Sequence, residues 1–182
     1  MAQRKCINSP DSLCYICDEC TVLKQKLNIR DFVKKVYFAY FGLKLGDQDK
    51  AWAPHKVCKR CVEDLRNWFK GKLKAFRYGI PMVWREQKNH SDDCYFCSCD
   101  VKGYNLKWKH SISYPNLHSA IRPIPHGTDL PVPMAPATLE EITCYDEGGV
   151  ISEPDDESSS EIQDDTRPKL FSQEKMNYLI RT

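Results

Sequence analysis

The chain has 182 residues, among them ten cysteines and five histidines, and a formal charge of only +2. A chain this short struggles to bury enough apolar surface without a staple, and its cysteines are the candidates for one. The opening MAQRKCINSP holds no apolar secretory stretch, and nowhere do about 18 apolar residues run together, which argues against an exported disulfide framework and against a transmembrane helix.

The expectation is therefore an intracellular protein, nuclear or cytoplasmic, with no membrane partner, whose paired cysteines bind metal or act as redox groups. The small net charge conceals a split. Residues 1 to 126 hold 23 Lys and Arg against 12 Asp and Glu, a balance of +11, whereas residues 127 to 182 hold 4 against 13, or −9. A basic body suits a polyanionic partner, and an acidic, Ser-rich tail is expected to stay solvated and disordered.

In chain order, residues 1–11 read as an N-terminal arm. Cys14-x-x-Cys17 follows, and Cys58-x-x-Cys61 completes a set of four thiols suited to a closed tetrahedral zinc site. Between the pairs, DFVKKVYFAYF over Asp31 to Phe41 places Phe32, Val33, Val36, Tyr37 and Tyr40 at helical spacing, with Asp31 as N-cap and Gly42 as the stop. LGDQDKAWAPH reads as a loop that delivers the second pair to the start of a long helix, whose stripe is Val62, Leu65, Phe69, Leu73 and Phe76 and whose end falls near Gly79 and Pro81. Trp68 widens that stripe, either leaving surface for a partner or adding to the core, while Trp52 and Trp84 read as core aromatics. Lys59, Arg60, Arg66, Lys70, Lys72, Lys74 and Arg77 occupy the other faces and are the candidate nucleic-acid contacts.

A knuckle followed by a second ligand pair on the first turn of a helix is the arrangement of a treble clef, with the helix N-terminus favouring the thiolates. Over residues 12 to 80 the chain resembles the zinc-finger-associated domain of insect transcription factors. That resemblance implies zinc on Cys14, Cys17, Cys58 and Cys61 and homodimerisation through the long helix. No array of C2H2 fingers follows, so the usual sequence reader of that family is missing.

Residues 90 to 126 offer His90, Cys94, Cys97, Cys99, His110, His118 and His126, more than one zinc can use. On spacing alone, Cys94 and Cys97 with any two histidines would serve. The strings PDSLCYIC, YFAYFGLKLGDQDKAWAPHKVCKRCVEDLRNW, YGIPMVWRE, NHSDDCYFC and SAIRPIPH resemble a widespread group of uncharacterised animal proteins with suspected links to mobile elements. That group keeps histidine at the positions of His90 and His126, varies at His110, and has proline at His118 and a residue other than cysteine at Cys20. The resemblance thus implies His90, Cys94, Cys97 and His126 as a second zinc site. Members also continue past MNYLIRT, which implies a truncated C-terminus here. Tyr95, Phe96, Tyr104 and Trp108 interleave with Lys102, Lys107 and Lys109, either filling a zinc-centred core or stacking on bases.

From residue 123, PIPHGTDLPVPMAP reads as an extended, polyproline-like linker or docking strand. EPDDESSSEIQDD beyond it offers acidophilic phosphorylation sites around Ser152 and Ser158, and FSQEKMNYLI is marginal as an isolated helix. Cys6, Cys20, Cys99 and Cys144 have no assigned role.

The expected architecture is a small α+β, zinc-stabilised fold: a treble-clef-like module over residues 12–86, a second zinc module over 87–126, and a Pro-rich linker with an acidic tail over 127–182, carrying two zincs per chain. The chain lacks H-x-E, a P-loop, G-x-S-x-G and H-E-x-x-H, and a thiolate-rich four-ligand zinc is closed, so no enzyme is expected. The function expected is that of a self-associating scaffold, a nucleic-acid-binding module, or both. The alternatives are an adaptor that binds only proteins, through the long helix or the Pro-rich segment, and a redox-active thiol protein.

Overall fold

The computed structural model describes residues 6–101, 112–128 and 130–142. The candidates Lys102, Tyr104, Lys107, Trp108, Lys109, His110, Cys144, Ser152 and Ser158 and the acidic tail lie outside them.

The chain begins by turning on its first cysteine pair. Asp18, just after Cys17, takes a left-handed conformation at φ 58°, and its N–H bonds to the Cys14 carbonyl at 3.0 Å. Asp tolerates this region better than most side chains. The reversal brings Leu13 opposite Cys20 and closes a knuckle. Two short strands then pair antiparallel, β1 (Lys26–Asn28) with β2 (Lys56–Cys58), with Leu27 opposite Val57.

Helix α1 runs over Asp31–Phe41, the predicted span, but Arg30 and not Asp31 is its N-cap. Gly42 ends it at φ 67°, its N–H bonded to Phe38 O at 2.8 Å. Helix α2 covers Lys59–Phe69, so it is shorter than the apolar stripe implies. Gly71 stops it at φ 68°, where the N–H of Gly71 bonds to Trp68 O and that of Lys72 to Asn67 O, a Schellman pattern. Leu73 and Phe76 still pack inward after the stop, Leu73 partly buried and Phe76 buried, which is why the stripe continues without the helix.

Four further strands tie the later chain onto this body. β3 (Tyr78–Ile80) pairs with β6 (Ile124–Pro125), and β4 (Val83–Trp84) pairs with β5 (Ala120–Ile121), both antiparallel. A single turn, α3 (Tyr95–Ser98), carries the third cysteine pair. The fold is α+β, as expected.

One apolar cluster runs from the knuckle through α1 and α2 to α3 and β5, so the two expected zinc modules share a core. Trp84 stacks on Phe96 with ring centroids 5.3 Å apart and donates its indole N–H to Tyr15 O at 2.8 Å. Trp84 is thus core; Trp52 is half-buried against the same cluster. Tyr95 and Phe96 are buried too, which settles their role as core rings.

The Pro-rich stretch lies along the body: Ile124 and Pro125 are in β6, and Pro133 O accepts the Trp68 indole N–H at 3.3 Å. Trp68 is consequently buried, and its ring is no exposed partner surface. Trp68 also meets Tyr40 edge to face at 4.7 Å.

Gly71 tests the helix stop. A Cβ there would meet no atom within 4 Å, so only its left-handed backbone resists substitution. We expect Gly71→Ala to lose about 1 kcal/mol in denaturant unfolding at fixed free zinc, because an L side chain is strained in that region. Gly46→Ala, with open space and no positive φ, should stay within about 0.5 kcal/mol of the parent.

Candidate metal centres

Each centre is built from local turns that aim sulfurs at one point. In the first, the knuckle presents Cys14 and Cys17, while Cys58 ends β2 and caps α2, whose first turn holds Cys61. The ligand atoms of all four lie within 4.8 Å of one another, and all four residues are buried. Cys17 Sγ and Cys58 Sγ are 3.8 Å apart. With a zinc–sulfur bond of about 2.3 Å, a tetrahedron has edges of about 3.8 Å, so this spacing fits a zinc ion.

Backbone amides meet the same sulfurs. Cys58 N–H donates to Cys14 Sγ at 3.2 Å and Cys61 N–H to Cys58 Sγ at 3.4 Å. Such bonds, at a helix N-terminus, favour thiolate over thiol.

Arg77 was a candidate nucleic-acid contact, and its position corrects that reading. Its Nη2 donates to Cys61 Sγ at 3.2 Å and its Nε to Asp64 Oδ2 at 3.1 Å, with Glu19 3.5 Å from Nη1. Burial alone would lower the guanidinium's pKa, but Cys61 and Cys17, with a smaller share from Glu19, outweigh it and hold the group above its ordinary range. A zinc with four thiolates carries a net charge of about −2, and Arg77 is placed to offset part of it.

Among the thiols themselves, hydrogen bonds from Cys14, Cys17 and Cys61 hold Cys58 below the usual thiol range. The bond with Cys14 pushes Cys17 up, and burial pushes Cys61 up. A divalent ion at the centre favours the thiolate form of its ligands.

The second centre comprises His90, Cys94, Cys97 and Cys6, again with ligand atoms within 4.8 Å. Cys6 Sγ is 3.6 Å from both His90 Nδ1 and Cys94 Sγ, and Cys97 Sγ is 3.7 Å from His90 Nδ1. Tetrahedral zinc with one nitrogen has mixed edges of about 3.6 Å, so this cluster fits as well. Burial pushes the Cys94 thiol up to about 12 and raises Cys6.

His126, the fourth ligand implied by resemblance, is elsewhere. Its Nε2 is 2.6 Å from Tyr40 Oη and its Nδ1 is 2.9 Å from Leu130 O, so both ring nitrogens already have partners. Because a carbonyl can only accept, Nδ1–H donates to Leu130 O, leaving Nε2 to accept from the tyrosine. Of the histidines weighed for this centre, His118 is exposed. His55, near the first centre in sequence, instead has Nε2 3.1 Å from Lys50 O.

Cys6 therefore displaces His126, and the described part of the N-terminal arm around Cys6 belongs to the second centre. Asn8 fixes it there, its Nδ2 bonding to Phe96 O at 2.8 Å and Cys99 O at 2.6 Å. The one sequence signal for Cys6 was its status as a spare thiol. Around the ligands, Asp93 Oδ1 and Oδ2 accept from the N–H groups of Ser119 and Lys88 at 3.0 and 3.1 Å, holding the turn before Cys94.

Two metal centres, zinc by geometry and donor type, are what these residues fit. No family model, curated protein or solved structure matches the chain.

A buried link joins them. Asp18, next to Cys17, accepts from Tyr95 Oη and from Arg122 Nε, each at 2.8 Å, and Tyr95 follows Cys94. Burial raises the Asp18 carboxyl, opposed by Arg122 and Tyr95, and burial together with Asp18 raises the Tyr95 hydroxyl. Cys20 and Cys99, buried nearby, belong to neither ligand set.

Native mass spectrometry checks the ligand assignment. Cys6→Ser should lower zinc from two per chain to one, while His126→Gln should keep both. Cys58→Ser should unfold the chain, because the binding energy of a structural zinc is folding energy. Zinc loading of metal-free protein should release protons, and zinc retention should fall as pH drops, since zinc takes cysteine as thiolate and the cluster holds Cys17 and Cys61 above the usual thiol range.

Proposed function

We propose that the chain is a zinc-folded, non-enzymatic binding module, intracellular and acting in the nucleus, that engages nucleic acid through the solvent face of α2 and the turn that follows it. One observation carries the reading. Lys59, Arg60 and Arg66 on α2 and Lys70, Lys72 and Lys74 just past its end are all exposed, while the opposite face of α2 buries Cys61, Val62, Leu65 and Trp68. The metal thus holds a cationic face outward on a rigid element, which suits phosphate backbones.

The face is not purely basic. Glu63 lies 3.6 Å from Lys59, and Arg66 lies over the Phe32 ring at 5.7 Å. An exposed ion pair of this kind is weak and gives way to a phosphate. Nothing on the face forms a ladder of Asn, Gln and Arg that reads base edges, so binding that is tolerant of sequence is the expectation.

Other features support the remaining parts of the reading. Four protein ligands at each centre leave no open position for a substrate or water, consistent with a structural and not a catalytic role. The knuckle, the β1–β2 ladder and a helix that starts at the second cysteine pair support a treble-clef description of the first centre. Self-association through α2 gains no support, because its apolar side faces the core.

Fluorescence anisotropy of the full chain with duplex DNA, across a salt series, tests the proposal. Binding should weaken steeply with salt, and Arg60→Ala, Lys70→Ala and Lys72→Ala together should reduce the slope of log K against log salt by about 2.7, at about 0.9 for each phosphate no longer neutralised. A slope unchanged by the triple variant, or no binding at low salt, would favour the adaptor reading instead.

A further inference from the structure

The two centres differ in access to solvent. All four residues of the first are buried, whereas in the second only Cys94 is, and Cys6, His90 and Cys97 are half-buried. They also differ in how they close. His90, Cys94 and Cys97 sit within one short stretch, and the fourth donor, Cys6, comes from 84 positions before His90. Ile7, beside it, is 60% exposed, so solvent reaches the segment that carries this ligand.

That segment is nevertheless held in place by bonds that need no metal. The Asn8 backbone N–H donates to Phe96 O at 3.2 Å, and its side chain bonds to Phe96 O and Cys99 O. Cys6 Sγ is thereby kept 3.6 Å from Cys94 Sγ. A half-exposed thiolate with a buried second sulfur in reach pairs an attackable cysteine with a resolving one. Bringing the sulfurs to a bonded separation of about 2.05 Å asks for a shift of under about 2 Å.

We infer that the second centre is a peroxide-sensitive oxidation site, in which Cys6 is oxidised, Cys94 resolves it to a Cys6–Cys94 disulfide, and the metal is lost. This rests on the reading of the cluster as a zinc centre. The Cys6 thiolate attacks one oxygen of hydrogen peroxide; an S–O bond forms, the O–O bond breaks, and hydroxide leaves a sulfenic acid behind. The Cys94 thiolate then attacks the Cys6 sulfur; an S–S bond forms, the S–O bond breaks, and a second hydroxide departs. Two thiolates have given two electrons, peroxide has taken them, and solvent protons convert both hydroxides to water.

Cys97 and His90 remain, too few donors for a closed zinc site, and the ion dissociates. The N-terminal segment stays where it was, because a covalent bond has replaced a coordinate one. At the first centre the four sulfurs are shielded by burial, so it keeps its ion under the same exposure.

The test treats the full, two-zinc chain with one equivalent of hydrogen peroxide, follows released metal with a chromogenic chelator, and maps disulfides by mass spectrometry of unreduced peptides. The expected result is about one zinc released per chain, a Cys6–Cys94 cross-link, and unmodified Cys14, Cys17, Cys58 and Cys61. Release of both metals at one rate, first oxidation among those four, or a Cys94–Cys97 bond in place of the cross-link overturns the inference. Cys6→His keeps four donors without the Cys6 sulfur, and should lose its second zinc roughly tenfold more slowly under peroxide, half-buried Cys97 being left without the Cys6 thiolate beside the buried Cys94; an unchanged rate is equally fatal. A chain that carries no zinc before peroxide is added refutes the metal reading itself, and the starting mass shows this separately.

Discussion

Everything else in this fold depends on the convergence of four buried sulfurs at the first centre. Cys14 and Cys17 come from a knuckle, and Cys58 and Cys61 from the junction of β2 and α2. Their meeting sets the distance between knuckle and helix, and α1 packs against α2 in the space this leaves. In a chain with so little regular structure, metal coordination replaces the long ladders and deep core that larger domains use. The cost of gathering thiolates in a buried place is met by the ion, by amide N–H groups, and by Arg77.

Arg77 also shows how charge can mislead when read along a sequence. It lies in a run with Lys70, Lys72 and Lys74, and only the fold separates it from them, turning it to Cys61, Asp64 and Glu19 while they stay exposed. The basic surface on and just after α2 is therefore smaller than the run suggests, but better defined.

Local features of the fold were legible in the sequence, and long-range ones were not. C-x-x-C spacing is a local property, and so the four thiols of the first centre and the Cys94–Cys97 pair could be read directly. The span of α1 was legible for the same reason, its stripe and Gly42 lying in one window. The α2 stop at Gly71 was missed, because Leu73 and Phe76 keep helical spacing while packing from non-helical chain. Cys6 could not be found by spacing, because His90 and Cys94 lie 84 and 88 residues further along the chain. His126 was implied by resemblance, and the structure gives its ring to Tyr40 and Leu130 instead.

The 84-residue separation of Cys6 from His90 has a consequence during synthesis. At about 5–20 residues per second, roughly 4–17 seconds pass between the making of Cys6 and that of His90, and Cys97 comes later still. The first centre can assemble once Cys61 has emerged from the ribosome, but Cys6 waits as a free thiol while the rest of its site is translated. Maturation is therefore sequential, with the inner centre in place before the outer one closes over the beginning of the chain.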